Sequence, residues 1–237
     1  MRRREGSAII APMSHPTDPM PPMPVSDTAR DPGDLARFAP EGAARVLDCS
    51  ANDPARWAAL RERGARELHA VAPEGTDGPD VCIAGIDALL RSQESGCYDA
   101  VFCDHVVERQ RNPVPLLERL HALLVPGGAL IVATPNMQYH KAVRALAEGW
   151  WVYGDTGVWQ RGNLRFFTAT SLRDLCIDHG FKVSRCLPRM KDPESAFPLD
   201  DRRYAHAGRI SVGPLDAAEY ASYLAPEIIC LATKPEA

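Results

Sequence analysis

No stretch of this 237-residue chain approaches the ~20 consecutive apolar residues that a membrane-spanning helix needs, so no membrane span is expected. Among the seven cysteines there is no Cys-x-x-Cys pair, so no zinc site is expected and no metal ligand is assigned. Excess positive charge is also missing. With 27 Lys and Arg against 31 Asp and Glu, the net charge of −4 gives no basic footprint for nucleic acid, although it leaves an RNA substrate open. The N-terminus imitates a secretion signal with Arg2, Arg3 and Arg4, but the apolar stretch from Ala8 to Met13 is too short and prolines follow it. Internal repeats are absent. Cys49, Cys82, Cys103 and Cys230 lie inside apolar runs, where a free thiol behaves as a small hydrophobe. Reduced thiols and a cytoplasmic location are therefore expected.

What is present is an alternation of short apolar runs and helical patterns. Residues 1–30 are rich in Pro, Met and Asp and are expected to be disordered; residues 31–237 are expected to form the folded part. Ala44 to Cys49 reads as a buried parallel strand. A helix is expected over 54–63, with Asp53 as its N-cap, Pro54 at its first position and Gly64 closing it. Strands are expected at 67–71, 80–84, 98–103, 129–133, 181–186 and 227–233. Helices are expected at 34–38, 112–124 and 171–179, and Pro126-Gly127-Gly128 reads as a turn. Strands alternating with helices imply a Rossmann-like, doubly wound α/β fold. Its sheet is mainly parallel and seven-stranded, with helices on both faces. In such sheets ligands bind outside the carboxyl ends of the strands, which points to the loops after Cys49, Val71, Cys103 and Thr134. Two segments break the alternation: an aromatic insertion over about 136–167 and an irregular stretch over about 188–224.

Several phrases, in order, resemble the class I S-adenosylmethionine-dependent methyltransferases. Val46-Leu47-Asp48 resembles the start of that family's cofactor loop, and Tyr98-Asp99-Ala100-Val101 its fourth strand. Val106-Val107-Glu108-Arg109 is similar to the phrase Val-Leu-Glu-His. Leu124 to Leu130, with Pro126-Gly127-Gly128, resembles the turn into the fifth strand, and Pro135-Asn136 follows. The stretch from Gly157 to Thr168 resembles a small-molecule methyltransferase subgroup phrase ending Arg-x-x-Leu-Arg-Phe-Phe-Thr, and the closing Leu231 to Pro235 also fits. The resemblance covers about 44–187 and the last strand. It implies S-adenosylmethionine as cofactor and a small-molecule acceptor, glycan- or lipid-linked in some members.

The same resemblance marks three departures. Ser50, Asn52 and Pro54 stand where the family has glycines, so the loop is degenerate, and Asp53 adds a carboxylate at the helix start. Ala72 stands where a ribose-binding acid is usual, with Glu74 two residues on. Arg109 and Asn163 replace histidines, and Gln160 replaces an Asp. Carried over residue by residue, the resemblance implies cofactor contacts from Asp48, Ser50, Asn52, Glu74, Asp87 and Cys103. It implies acceptor contacts from Glu108, Arg109, Trp150, Tyr153, Arg161, Asn163 and Arg165. His105 and His140 remain as candidate bases, since a neutral imidazole can take a proton near pH 7. His105, His140, Asp87, Cys103, the loop aromatics, Arg161 and Arg165 also have a plainer reading as packing or surface residues, and Phe166 and Phe167 read as core. Two functions stay open: methyl transfer, or a catalytically inactive relative that binds a ligand or a protein partner. A nicotinamide-dependent reductase would need a glycine fingerprint that is missing.

Overall fold

The computed structural model describes residues 32–50, 53–72, 76–91, 94–190, 202–207 and 209–236. Its centre is a seven-stranded sheet. β1 (Arg45–Asp48) pairs in parallel with β2 (Glu67–Val71) on one side and β4 (Tyr98–Asp104) on the other. β3 (Val81–Ile83) extends the β2 side, and β5 (Leu124–Pro135) follows β4, both in parallel. β7 (Ala205–Ala207) and β8 (Ile210–Val212) form a separate antiparallel pair. The last strand of the chain, β9 (Glu227–Thr233), inserts antiparallel between β5 and β6 (Lys182–Arg189). The sheet order is β3-β2-β1-β4-β5-β9-β6, and chain order reverses between β1 and β4.

Period-2 alternation sends successive side chains to opposite faces, and both faces are covered. Val46, Leu68, Ala100, Phe102, Ile131 and Ile229 pack against the 3-10 turn Pro32–Phe38 and against Trp57 and Leu60 of α1 (Pro54–Glu62). Leu47, Val101, Cys103, Leu130, Val132 and Cys230 face the other way. They meet α2 (Ile86–Arg91), α3 (Val114–Leu123) and α5 (Ala169–Asp178). The α/β class, the seven strands and the mainly parallel sheet agree with the sequence reading.

The differences lie in the connections. Pro126-Gly127-Gly128, expected as a turn, runs within β5. The aromatic insertion contains α4 (His140–Ala147), and the irregular stretch contains β7, β8 and α6 (Ala217–Leu224). Asn136, which follows β5, ties these pieces together. Its side-chain amide donates to the carbonyls of Ser222 (2.8 Å) and Ala225 (3.0 Å) at the end of α6. No described helix is long and apolar enough to cross a membrane. The expected disorder of residues 1–30, and the roles assigned to Asn52 and Glu74, lie outside the described residues.

Candidate functional site

Chain order reverses between β1 and β4, so the crevice at their carboxyl ends is where a doubly wound sheet takes a ligand. Each strand ends there in a carboxylate. Asp48 and Asp104 follow the alternation of Val46 and Phe102, so both face the α1 side of the sheet. Asp48 is fully buried. It accepts from the indole Nε1 of Trp57 (2.9 Å), from the backbone N–H of Ser50 (3.0 Å) and from Nη1 of Arg56 (3.1 Å).

Arg56 is brought there by the start of α1. Asp53 caps the helix by accepting from the Arg56 N–H (3.0 Å), and Pro54 begins it where a missing N–H costs nothing. Side chains in a first turn lean back towards the helix N-terminus. The Arg56 guanidinium therefore reaches across the crevice. Besides Asp48 it donates to Asp104 Oδ2 (2.6 Å) and Ser50 Oγ (2.7 Å), and it pairs with Asp53 Oδ2 (3.0 Å). It is only 1% exposed. Burial works against its charge, but the carboxylates of Asp48, Asp104 and Asp53 outweigh burial and raise its pKa further.

The cluster continues along the strand ends. Arg189 and Glu227 are direct register partners on β6 and β9, with an ion pair of 3.3 Å. Arg189 also donates to both carboxylate oxygens of Asp104 at 3.1 Å. His105, just past β4, has a left-handed backbone (φ 57°). Its Nδ1 lies 2.9 Å from Glu108 Oε1 and its Nε2 3.0 Å from Glu227 Oε1. Burial disfavours its charge, yet these hydrogen bonds and the charges of Glu227 and Asp104 prevail, raising the imidazole pKa to about 9. Five carboxylates (Asp48, Asp53, Asp104, Glu108, Glu227) thus surround three cations (Arg56, Arg189, His105), and the cluster keeps an excess of negative charge.

The acceptor-side candidates lie next to it. Glu108 is fully buried, and its carbonyl accepts from the N–H groups of Leu164 and Arg165. That joins the turn Val107–Arg109 to the end of the aromatic insertion. Asn163 is buried too and donates to the Val158 carbonyl. Glu108 Oε2, Asn163 Oδ1 and Trp159 Nε1 are buried polar atoms with no partner. Such atoms are costly unless something bonds to them.

The structure runs against the roles expected for His105 and Cys103 and gives the other candidates their surroundings. His105 is an imidazolium at neutral pH, the wrong form for a base. The Cys103 side chain goes into the core, not the crevice, and burial raises its thiol pKa. Asp87 sits exposed in the first turn of α2. Trp150 and Tyr153 are 61% and 49% exposed instead of folded into a closed wall. Arg161 pairs with Asp155, Arg165 donates to the Arg111 carbonyl, and Arg109 donates to Gln160. His140 is buried against Tyr139 at the start of α4, and burial lowers its pKa, a direction that suits the base it was expected to be. Asp48, Ser50, Glu108 and Asn163 stand at or beside the cluster. Sequence reasoning missed Arg56, Asp104, Arg189 and Glu227. One signal was there: Arg56 falls four residues before Leu60 on the helix face that packs inward, so it needed a buried partner.

A family model described as a methyltransferase domain matches residues 28–185. No curated protein sequence matches the chain. Among solved structures, a SAM-dependent methyltransferase from Archaeoglobus fulgidus is similar at 14% identity and a TM-score of 0.55, over 84% of this chain and 90% of that one. The cyclase SpnF is similar at 18% identity and a TM-score of 0.52, over 86% and 80%. The 1,6-didemethyltoxoflavin-N1-methyltransferase of Burkholderia thailandensis, solved with S-adenosylhomocysteine, is similar at 16% identity and a TM-score of 0.51, over 82% and 72%. At these identities the likeness establishes the fold.

Proposed function

The chain belongs to the methyltransferase domain family, and on that ground we propose that it transfers a methyl group to a polar small molecule bound beside Glu108 and Asn163. S-adenosylmethionine is the cofactor that membership supports. What supports the reading is the family match together with the buried and unpartnered Glu108 Oε2, Asn163 Oδ1 and Trp159 Nε1, polar atoms whose burial is costly until something bonds to them. Asp48 and Asp104 are the residues that would hold its cationic groups. With Arg56 in place they do not fit the cofactor, because the guanidinium already spans them. Only with the Arg56 guanidinium moved aside would the cofactor bring to this crevice an electrophilic methyl with its leaving group built in.

The chain's own residues restrict the acceptor. The cluster holds no neutral base, since His105 is protonated at pH 7. An acceptor that reacts at the cluster itself therefore arrives as a nucleophile, such as a carboxylate, thiolate or unprotonated amine, with alignment providing the acceleration. Glu108 Oε2 and Asn163 Oδ1 accept hydrogen bonds from it, and Trp159 Nε1 donates one. A glycan- or lipid-linked metabolite with an unprotonated amine to react, and hydroxyl groups to donate to Glu108 and Asn163, meets that demand. The fold alone does not fix the reaction, as the likeness to a cyclase illustrates.

A second reading is favoured by Arg56 itself. A cation built into the crevice occupies the place of a ligand, as in a relative that has given up catalysis. Calorimetry with S-adenosylmethionine and S-adenosylhomocysteine separates the two. Micromolar binding by the wild-type chain supports methyl transfer and opens acceptor screening. No binding at millimolar ligand, in protein shown to be folded, rejects it and leaves the second reading.

A further inference from the structure

We propose that the segment 146–164 is a docking surface for an anionic lipid bilayer. Six of the eight large apolar side chains exposed among the described residues fall in this one segment: Leu146, Trp150, Trp151, Val152, Tyr153 and Leu164. Their clustering is physical as well as sequential. The Trp151 ring lies 5.2 Å from that of Trp159, 5.3 Å from Phe166 and 6.4 Å from Tyr153. A bridge between Gly154 and Gln160 folds the segment back on itself. The side chains so exposed are tryptophan, tyrosine and aliphatics, the composition that settles at the headgroup level of a membrane.

Charge identifies the kind of bilayer. In sequence, Lys141 and Arg144 precede the aromatics and Arg161 and Arg165 follow them, with Arg109 and Arg111 tied in through Gln160 and Arg165. The only acids in the segment, Glu148 and Asp155, are already paired with Arg144 and Arg161. The remaining four cations have no carboxylate partner among the described residues. A positive patch on a chain of net charge −4 complements an anionic surface. The same charge argues against a second copy as occupant, because a two-fold contact places this patch against itself and sets arginines opposite arginines. The inference stands independently of methyl transfer, and its test uses no cofactor.

The test is co-sedimentation of the full chain with phosphatidylglycerol–phosphatidylcholine vesicles and with phosphatidylcholine alone, at low and high salt. Expected are binding to the anionic vesicles, its loss in high salt, weak binding to phosphatidylcholine and a blue shift of tryptophan emission. Arg161→Gln and Arg165→Gln should each weaken binding about fivefold, and a Trp150→Ser, Val152→Ser, Tyr153→Ser triple variant should abolish it. Circular dichroism checks that the variants fold; if one does not, the salt and lipid comparisons on the wild type still decide. Absence of binding to anionic vesicles overturns the proposal, as does binding that survives the triple variant. Self-association in sedimentation velocity that the triple variant removes would assign the surface to a second copy instead.

Discussion

At the scale of single residues, the chemistry of this crevice turns on Arg56 and His105. Taking Arg56 away leaves Asp48 and Asp104 charged, buried and short of a partner. Breaking a buried pair from one side costs about 3–5 kcal/mol. Arg56→Gln should therefore lower unfolding stability in urea by that order, and Asp104→Asn placed on top should restore part of it. A loss below about 1 kcal/mol would mean that the guanidinium is not held as described. Arg56→Gln should also gain affinity for S-adenosylmethionine at least tenfold if the arginine competes with it, which calorimetry reads directly. His105 makes stability depend on pH. Its folded pKa, about 9, lies above the ordinary histidine value of 6.5. The stabilisation is fully present below pH ~6.5 and disappears as pH rises through about 9, to a total of order 3 kcal/mol. Glu108, Glu227 and Asp104 face the imidazole, and Arg189 shares the last two. His105→Gln should flatten unfolding free energy between pH 6.5 and 9; an unchanged slope would remove His105 from the cluster.

At the scale of elements, what could be read in the sequence was whatever carried its own period. β2 and β9 have the limits that their apolar runs suggested, and Asp53 and Pro54 announced the start of α1. α2 and α4 were missed because each is short, with two buried side chains or fewer to mark a face. The ionic cluster was missed for a different reason. Arg189 meets Asp104 across 85 positions and His105 meets Glu227 across 122, so only the sheet order brings them together. Gly128 shows an element overriding local preference. Pro126-Gly127-Gly128 reads as a turn, yet Gly128 sits within β5 because the backbone crowds there. A Cβ on it would lie 2.8 Å from the Val125 carbonyl oxygen and 3.2 Å from that of Tyr98. Gly128→Ala should cost about 1–3 kcal/mol, the range for overpacking. Thermal unfolding measures it, and an unchanged midpoint would show that β5 can shift to make room.

At the scale of the whole molecule, a sheet covered on both faces determines which thiols solvent can reach. All seven cysteines are free. Cys49, Cys103, Cys176, Cys186 and Cys230 are buried, and all five lie in the core on the α3 and α5 side of the sheet. Cys82 and Cys97 are partly exposed near the β3 edge and just before β4. Reactivity follows the thiolate. Burial holds Cys49 and Cys103 protonated; Cys230 is held so by its thiol neighbours Cys176 and Cys186 together with burial. Burial, partly offset by Arg45, also raises the pKa of Cys97. A thiol titration of the native chain with an aromatic disulfide at pH 7 should therefore give a fast phase from Cys82, a slower one from Cys97 that quickens as pH rises, and nothing further. In denaturant without reductant, all seven should react. More than two reactive thiols in the native state would mean that the α3 and α5 layer opens readily. Five instead of seven in denaturant would reveal a disulfide, with Cys176 and Cys230, whose sulfurs lie 3.9 Å apart, the first pair to examine.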